Sequence, residues 1–134
     1  MSSQAQAART PGATRAGAGE YLFDLARVNK IKGGPDYSSV EGGCVEGDRM
    51  IVALMRMPAG TGAEPHSHPN EQWIYILEGT FKAKVGDKEV EAKPGSVLYI
   101  PSNMVHSGKA TPDRDVVFFT VKDASHSLHG MKAA

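Results

Sequence analysis

Residues 60–79 read GTGAEPHSHPNEQWIYILEG and carry the most informative pattern in this chain. His66 and His68 are separated by one residue, so both side chains point to the same side of an extended strand. Gln72 follows at an even spacing and shares that side if the strand resumes after Pro69. Imidazole nitrogens that converge on one side of a sheet commonly bind a divalent transition metal.

A second segment supplies a further histidine. Residues 95–107 read GSVLYIPSNMVHS, in which His106 follows a short apolar run. This histidine belongs to a different predicted strand from the first pair. The two segments together therefore predict a metal site.

Length and composition limit the remaining choices. The chain has 134 residues, enough for one domain with a hydrophobic core, and its net charge is zero with a pI of about 7. A neutral chain has no basic surplus for phosphates, so we do not expect nucleic-acid binding. The longest apolar runs, residues 50–55 and 116–119, are too short to cross a bilayer, so we expect no membrane partner. A single cysteine, Cys44, excludes an internal disulfide and is typical of a reducing compartment, so a cytoplasmic protein is expected.

The chain divides into three predicted parts. Residues 1–19 are mainly small and polar, which predicts a disordered N-terminal tail because such a segment buries too little surface to order itself. Residues 20–122 are predicted to form a β-barrel domain. Residues 123–134 are predicted to form a C-terminal tail.

Short apolar runs broken by turn residues recur about every ten residues, which is typical of an all-β sandwich or barrel. Gly86-Asp87 is a polar turn between two alternating runs and therefore predicts a hairpin. Residues 21–30 are the one segment that could form a helical turn. The predicted strands are residues 49–57, 73–77, 80–85, 88–92, 97–100 and 116–122.

The strand that follows Gln72 is apolar on both faces. If Gln72 points into the barrel, Ile74 and Ile76 do so too, and Trp73, Tyr75 and Leu77 lie on the opposite face. A strand that is apolar on both faces is normally covered on both. In so short a chain the outer cover is expected to be a second sheet, from this subunit or another, so a homodimer is predicted.

The two histidine segments resemble the two signature motifs of the cupin superfamily. Both match in spacing, although Ala110 stands where the second motif ends in Asn. The motif positions are occupied by Gly60, His66, His68, Gln72 and Gly79 in the first segment and by Gly95, Pro101 and His106 in the second.

The resemblance implies a jelly-roll barrel, or double-stranded β-helix, with a metal inside its mouth. The implied ligands are His66, His68, Gln72 and His106. Many metal-dependent cupins have Glu where this chain has Gln72, and the adjacent Glu71 is an alternative ligand. Consecutive strand residues face opposite ways, however, which favours Gln72.

One divalent transition metal per chain is expected. Fe(II) is the first choice, with Mn, Ni, Zn and Cu as alternatives. Three neutral imidazoles and a neutral amide leave the metal charge uncompensated, which favours a small anionic or oxygen-chelating substrate.

Tyr99 and Arg56 are the candidate catalytic side chains: the first as an acid or base, the second as a clamp for a carboxylate. Packing of Tyr99 and an exposed, outward-facing Arg56 are the competing interpretations. The fold hosts many chemistries, so the function stays open. The first hypothesis is an O2-dependent dioxygenase. The second is a non-oxidative isomerase, cyclase or lyase acting through an enolate, and the third is a non-catalytic ligand-binding protein.

Overall fold

A computed structural model describes residues 8–133, and these residues contain strands and turns but no helix. The prediction of an all-β fold is confirmed. The strands are β1 (Thr14–Arg15), β2 (Lys30–Lys32), β3 (Glu41–Glu46), β4 (Met50–Met57), β5 (Gly62–Ser67), β6 (Gln72–Glu78), β7 (Phe81–Val85), β8 (Lys88–Ala92), β9 (Val97–Ile100), β10 (His106–Ala110), β11 (Val116–Asp123) and β12 (Met131–Lys132).

The strands form two sheets. The larger sheet has the order β1-β3-β4-β11-β6-β9, with β2 paired to β3, and the smaller has the order β12-β5-β10-β7-β8. Many neighbouring strands are distant in sequence, so the chain crosses repeatedly between the sheets. A sandwich of this kind buries one face of each sheet.

Side-chain alternation builds the core between the sheets. On β11, Val116 and Phe118 are buried, whereas Val117 and Phe119 are only partly buried. The smaller sheet contributes Phe81 from β7 by the same alternation. Because the period of a strand is two residues, the register of each pairing decides which polar side chains also enter this interior.

The predicted hairpin is confirmed, because β7 and β8 pair on either side of Gly86-Asp87. The segment 21–30 forms no helix; it contains a turn in which the amides of Arg27 and Val28 donate to the carbonyl of Asp24. The short strands β1, β2 and β12, together with β3, were not anticipated. They have few β-branched residues or little alternation.

Both segments expected to be tails take part in the fold. Thr10 is buried, and its hydroxyl accepts a hydrogen bond of 2.7 Å from the amide of Leu128. The strand β1 pairs with β3, and β12 pairs with β5. The expectation of a disordered N-terminal tail is thereby corrected for residues 8–19, while residues 1–7 lie outside the described part.

The predicted two faces of β6 are confirmed. Gln72, Ile74 and Ile76 are buried, whereas Trp73 and Tyr75 remain 46% and 43% exposed. No described segment covers this outer face fully. Among residues 8–133 there is also no helix with the length and apolar character needed to span a membrane.

Candidate metal centre

Three buried histidines converge inside the barrel. His66 on β5 lies directly opposite His106 on β10, and their ring centroids are 4.1 Å apart. His68 follows the end of β5, and its ring centroid lies 4.8 Å from that of His106. One nitrogen from each of the three rings lies within 4.8 Å of the others. Three donors at such separations can bind a single metal ion.

The same local hydrogen bond orients each imidazole. The Nδ1 atoms of His66, His68 and His106 lie 2.7, 2.8 and 2.8 Å from the carbonyl oxygens of residues 64, 70 and 104. A carbonyl oxygen only accepts, so each Nδ1 carries the proton. In a neutral ring the lone pair is then on Nε2. Carbonyls that fix ligand histidines in this way are typical of metal sites.

Burial keeps the rings neutral. Burial is the largest of the causes that lower the pKa of His66, His68 and His106 to about 4 each, and nearby cationic groups contribute to the same lowering. At neutral pH all three histidines therefore offer lone pairs without first losing a proton, as metal binding requires.

The amide of Gln72 has one orientation that its neighbours allow. The hydroxyl of Thr120 donates to the carbonyl of Trp73 over 2.8 Å, so its oxygen accepts from Nε2 of Gln72 over 2.9 Å. The other amide atom, Oε1, then faces Nε2 of His68 at 3.0 Å. Thr120 thus directs an oxygen, rather than an NH2 group, toward the histidines.

This geometry fits a bound cation. Nε2 of His68 and Oε1 of Gln72 are both acceptors when the ring is neutral, so their contact at 3.0 Å is favourable only with a positive charge between them. Nε2 of His106 is also buried without a hydrogen-bond partner. Nitrogen and oxygen donors of this kind suit Fe, Mn, Ni, Zn or Cu.

Two further residues support the site. The ring of Tyr37 stacks on His66 with centroids 4.1 Å apart, and its hydroxyl accepts a hydrogen bond from the amide of Gly130. The side-chain NH2 of Asn70 donates to carbonyls of residues 123, 126 and 127. Asn70 therefore ties the loop after His68 to the C-terminal segment.

A cavity of about 70 Å³ adjoins the histidines, and Lys122 is part of its wall. The side chain of Lys122 is buried, and its ammonium donates to the carbonyl of Leu128. Burial lowers the pKa of Lys122 to about 7. Sequence reasoning missed this residue, although the alternation of β11 from Val116 through Phe118 would have placed it inside.

The candidate catalytic residues lie elsewhere. Tyr99 is 40% exposed and packs against Trp73 on the outer face, with ring centroids 4.6 Å apart. Arg56 is exposed and pairs with Asp115 over 2.8 Å. Glu71 is exposed as well. The structure therefore brings the three histidines and Gln72 together and places Tyr99 and Arg56 on outward-facing positions, away from this cluster.

Comparison with known proteins agrees with this architecture. A family model described as a cupin domain matches residues 53–122, just over half of the chain. That range contains every residue of the histidine cluster and Lys122.

Two solved structures are similar in fold. A cupin-2 domain protein of Rhodospirillum rubrum has a TM-score of 0.70 and 17% identity, covering 86% of this chain and 81% of its own. The polyketide cyclase RemF of Streptomyces resistomycificus has a TM-score of 0.69 and 21% identity, covering 79% and 80%.

A curated relative is the bifunctional lysine-specific demethylase and histidyl-hydroxylase NO66 of Branchiostoma floridae. It is 32% identical over 77 residues, which is 54% of this chain and 13% of the relative. This chain thus spans about an eighth of that protein.

Proposed function

Because this chain belongs to the cupin domain family, we propose that it is a metal-dependent enzyme acting on a small anionic or oxygen-chelating substrate, in the first instance as an O2-dependent dioxygenase. The observation that carries this proposal is the convergence of three neutral imidazoles beside a cavity, with the oxygen of Gln72 facing one of them.

His66, His68, Gln72 and His106 would hold the metal, with Fe(II) as the first choice. When bound, a divalent metal supplies a Lewis acid that polarises a coordinated substrate oxygen. The histidines need no deprotonation to bind it, because burial already keeps them neutral. Thr120 holds the amide of Gln72, and Tyr37 holds the ring of His66, so the ligands are positioned before any substrate arrives.

The charge of this ligand set supports an anionic substrate. All four proposed ligands are neutral, so no protein carboxylate offsets the charge of the metal. The apolar walls around them, including Met55 and Phe118, lower the local dielectric and strengthen attraction to an anion. The hydroxylase named among the relatives supports the O2-dependent reaction class.

The second candidate is a non-oxidative isomerase, cyclase or lyase. The neutral Gln72 favours it, because a metal without a carboxylate ligand stabilises developing negative charge on a substrate more strongly. A protein that binds a small ligand without converting it is the remaining alternative.

The test is metal analysis of the purified protein, followed by turnover of a panel of small carboxylic acids and phenols under air and under argon. For a dioxygenase we expect conversion with O2 uptake under air and none under argon. Equal conversion in both gases would support the non-oxidative candidate, and metal-dependent binding without conversion would support the ligand-binding alternative.

A pair of histidine variants controls for the site. His106→Ala removes a proposed ligand, whereas His126→Ala removes a histidine outside the cluster. We expect the first to lose most bound metal and the second to keep it. Full metal content in His106→Ala would contradict the proposed centre.

A further inference from the structure

Lys122 introduces a positive charge into the interior of the barrel. It lies on β11, opposite Gln72 on β6, and only 4% of its surface is exposed. Bringing an ammonium group out of water is costly unless a partner compensates for it. The compensation within the described residues is small, because the ammonium donates one hydrogen bond there, to the carbonyl of Leu128.

The cavity contains no acidic partner for this lysine. None of the described residues that line it is Asp or Glu, and Lys122, in its protonated form, is its one lining residue with a formal charge when the histidines are neutral. Glu46 is also buried, but it is not the neighbour of Lys122 in the sheet. Ile51 pairs with Glu46 on one side and with Lys122 on the other, and so lies between them. Glu46 instead accepts hydrogen bonds from Arg9.

An ammonium has three N–H donors. One of those on Lys122 is donated to the carbonyl of Leu128, which leaves two without an acceptor among residues 8–133. A space of about 70 Å³ exceeds the share of a few tens of Å³ that one water takes in the liquid, so it admits a small polar group. A carboxylate supplies the missing charge and can accept from both free donors.

We propose that Lys122 is a second anchoring point for the substrate, where its ammonium binds a carboxylate in the cavity that His66, His106 and Gln72 also line. This inference rests on the proposed function, since it assigns one end of the anionic substrate to Lys122. The other end of the substrate would then face the histidine cluster. A substrate with a carboxylate and a second oxygen group would satisfy both points.

The probe is 13C-labelled acetate, titrated by NMR into metal-free protein and into zinc-loaded protein, with neutral acetamide as the comparison ligand. Lys122→Met removes the charge at similar length. Lys122→Gln keeps an N–H donor for the carbonyl of Leu128, and Lys122→Arg keeps the charge. Lys84→Met is the control, because Lys84 is an exposed lysine on the outer face of β7.

We expect wild type, Lys84→Met and Lys122→Arg to bind acetate in the metal-free state. Lys122→Met and Lys122→Gln should bind acetate at least about tenfold more weakly. This is the loss of affinity that corresponds to the free energy of a hydrogen bond to a charged group. Acetamide binding should change little. Hydrogen exchange of residues 126–130 reports whether the C-terminal segment stays in place in each variant.

Unchanged acetate affinity in Lys122→Gln with a protected C-terminal segment would overturn the inference and leave Lys122 as a tether for that segment. Failure of the proposed function has a separate signature. In that case wild type and all variants would lack bound metal, or would bind metal without converting any substrate, whatever acetate does at Lys122.

Discussion

At the scale of single residues, the contact between Gln72 and His68 determines how the centre responds to charge. Gln72→Glu replaces the neutral oxygen donor by a carboxylate at the same place. We expect metal affinity to stay equal or rise, because a carboxylate is the stronger donor. Affinity for a small carboxylate should fall several-fold, because the new charge opposes it in a partly dry cavity.

Calorimetric titration of metal, then of acetate, checks this expectation. Glu71→Gln is the matched control, because it changes charge at the adjacent, exposed position and should leave both affinities unchanged. Unchanged acetate affinity and metal content in Gln72→Glu would show that Gln72 does not contact the metal.

The lowered pKa values of the three histidines also lead to a prediction about how stability depends on pH. Their pKa values are about 4 in the fold, against about 6.5 in an unfolded chain. Between these values the unfolded chain binds more protons, so acid favours unfolding. The contribution of the three histidines to the free energy of unfolding of metal-free protein should therefore be fully present above pH ~6.5 and be lost as pH drops toward ~4, by on the order of 1–3 kcal/mol per histidine.

Urea unfolding across this range measures the effect. His106→Ala should show a shallower pH dependence than wild type, because it lacks one of the three groups. Lys122 does not interfere, because with a pKa of about 7 it is largely protonated in both states throughout the window. A pH-independent free energy between pH ~4 and ~6.5 would contradict burial of these rings in neutral form.

At the scale of the elements, Gly79 closes β6 in a conformation that other residues avoid. Its φ is +80°, and a Cβ atom added there would lie 2.2 Å from the carbonyl oxygen of Asp115. Gly95 has a φ of +94° but open space around the same position. Substituting each of these two motif glycines therefore distinguishes the cost of backbone strain alone from the cost of strain combined with a steric clash.

We expect Gly95→Ala to lower the free energy of unfolding by about 1–3 kcal/mol through backbone strain alone. Gly79→Ala should lower it by more, because the turn must also move away from Asp115. Thermal and urea unfolding of both variants test the order. Equal losses would show that the turn at Gly79 adapts without cost.

At the scale of the whole molecule, we propose that a second copy of this chain packs against the outer face of β6 and β9. Trp73, Tyr75, Leu77, Val97 and Tyr99 leave 40–55% of their surfaces exposed there. So contiguous an apolar patch is unusual on a monomer.

We therefore expect a homodimer at micromolar concentration in light scattering. Tyr75→Glu should shift it to monomer, because the introduced charge would be buried in the interface. Lys84→Glu, a charge change on the outer face of the other sheet, should leave the dimer intact. A monomeric wild type would refute this interface.

Which features could be predicted from the sequence depended on how far apart along the chain the interacting residues lie. Strand alternation and turn residues are local, so the all-β class, the hairpin at Gly86-Asp87 and the inward side of β6 followed from neighbouring residues. The spacing of His66 and His68 is local too, and the second motif added His106. Short or weakly alternating strands such as β1 and β12 carried too little local signal, because their order depends on the strands beside them.

Only the tertiary structure could decide which distant side chains share the interior. The register of β11 against β6 places Lys122 in the cavity wall, and the pairing of Trp73 with Tyr99 places Tyr99 on the outer face. Thr120 acquires its role by the same register, since it lies close enough to orient Gln72. Strand pairing joins residues tens of positions apart, and a shift of one residue would exchange the two faces. The candidate ligands were therefore readable from the sequence, whereas the position of Lys122 beside them depended on how the sheets assemble.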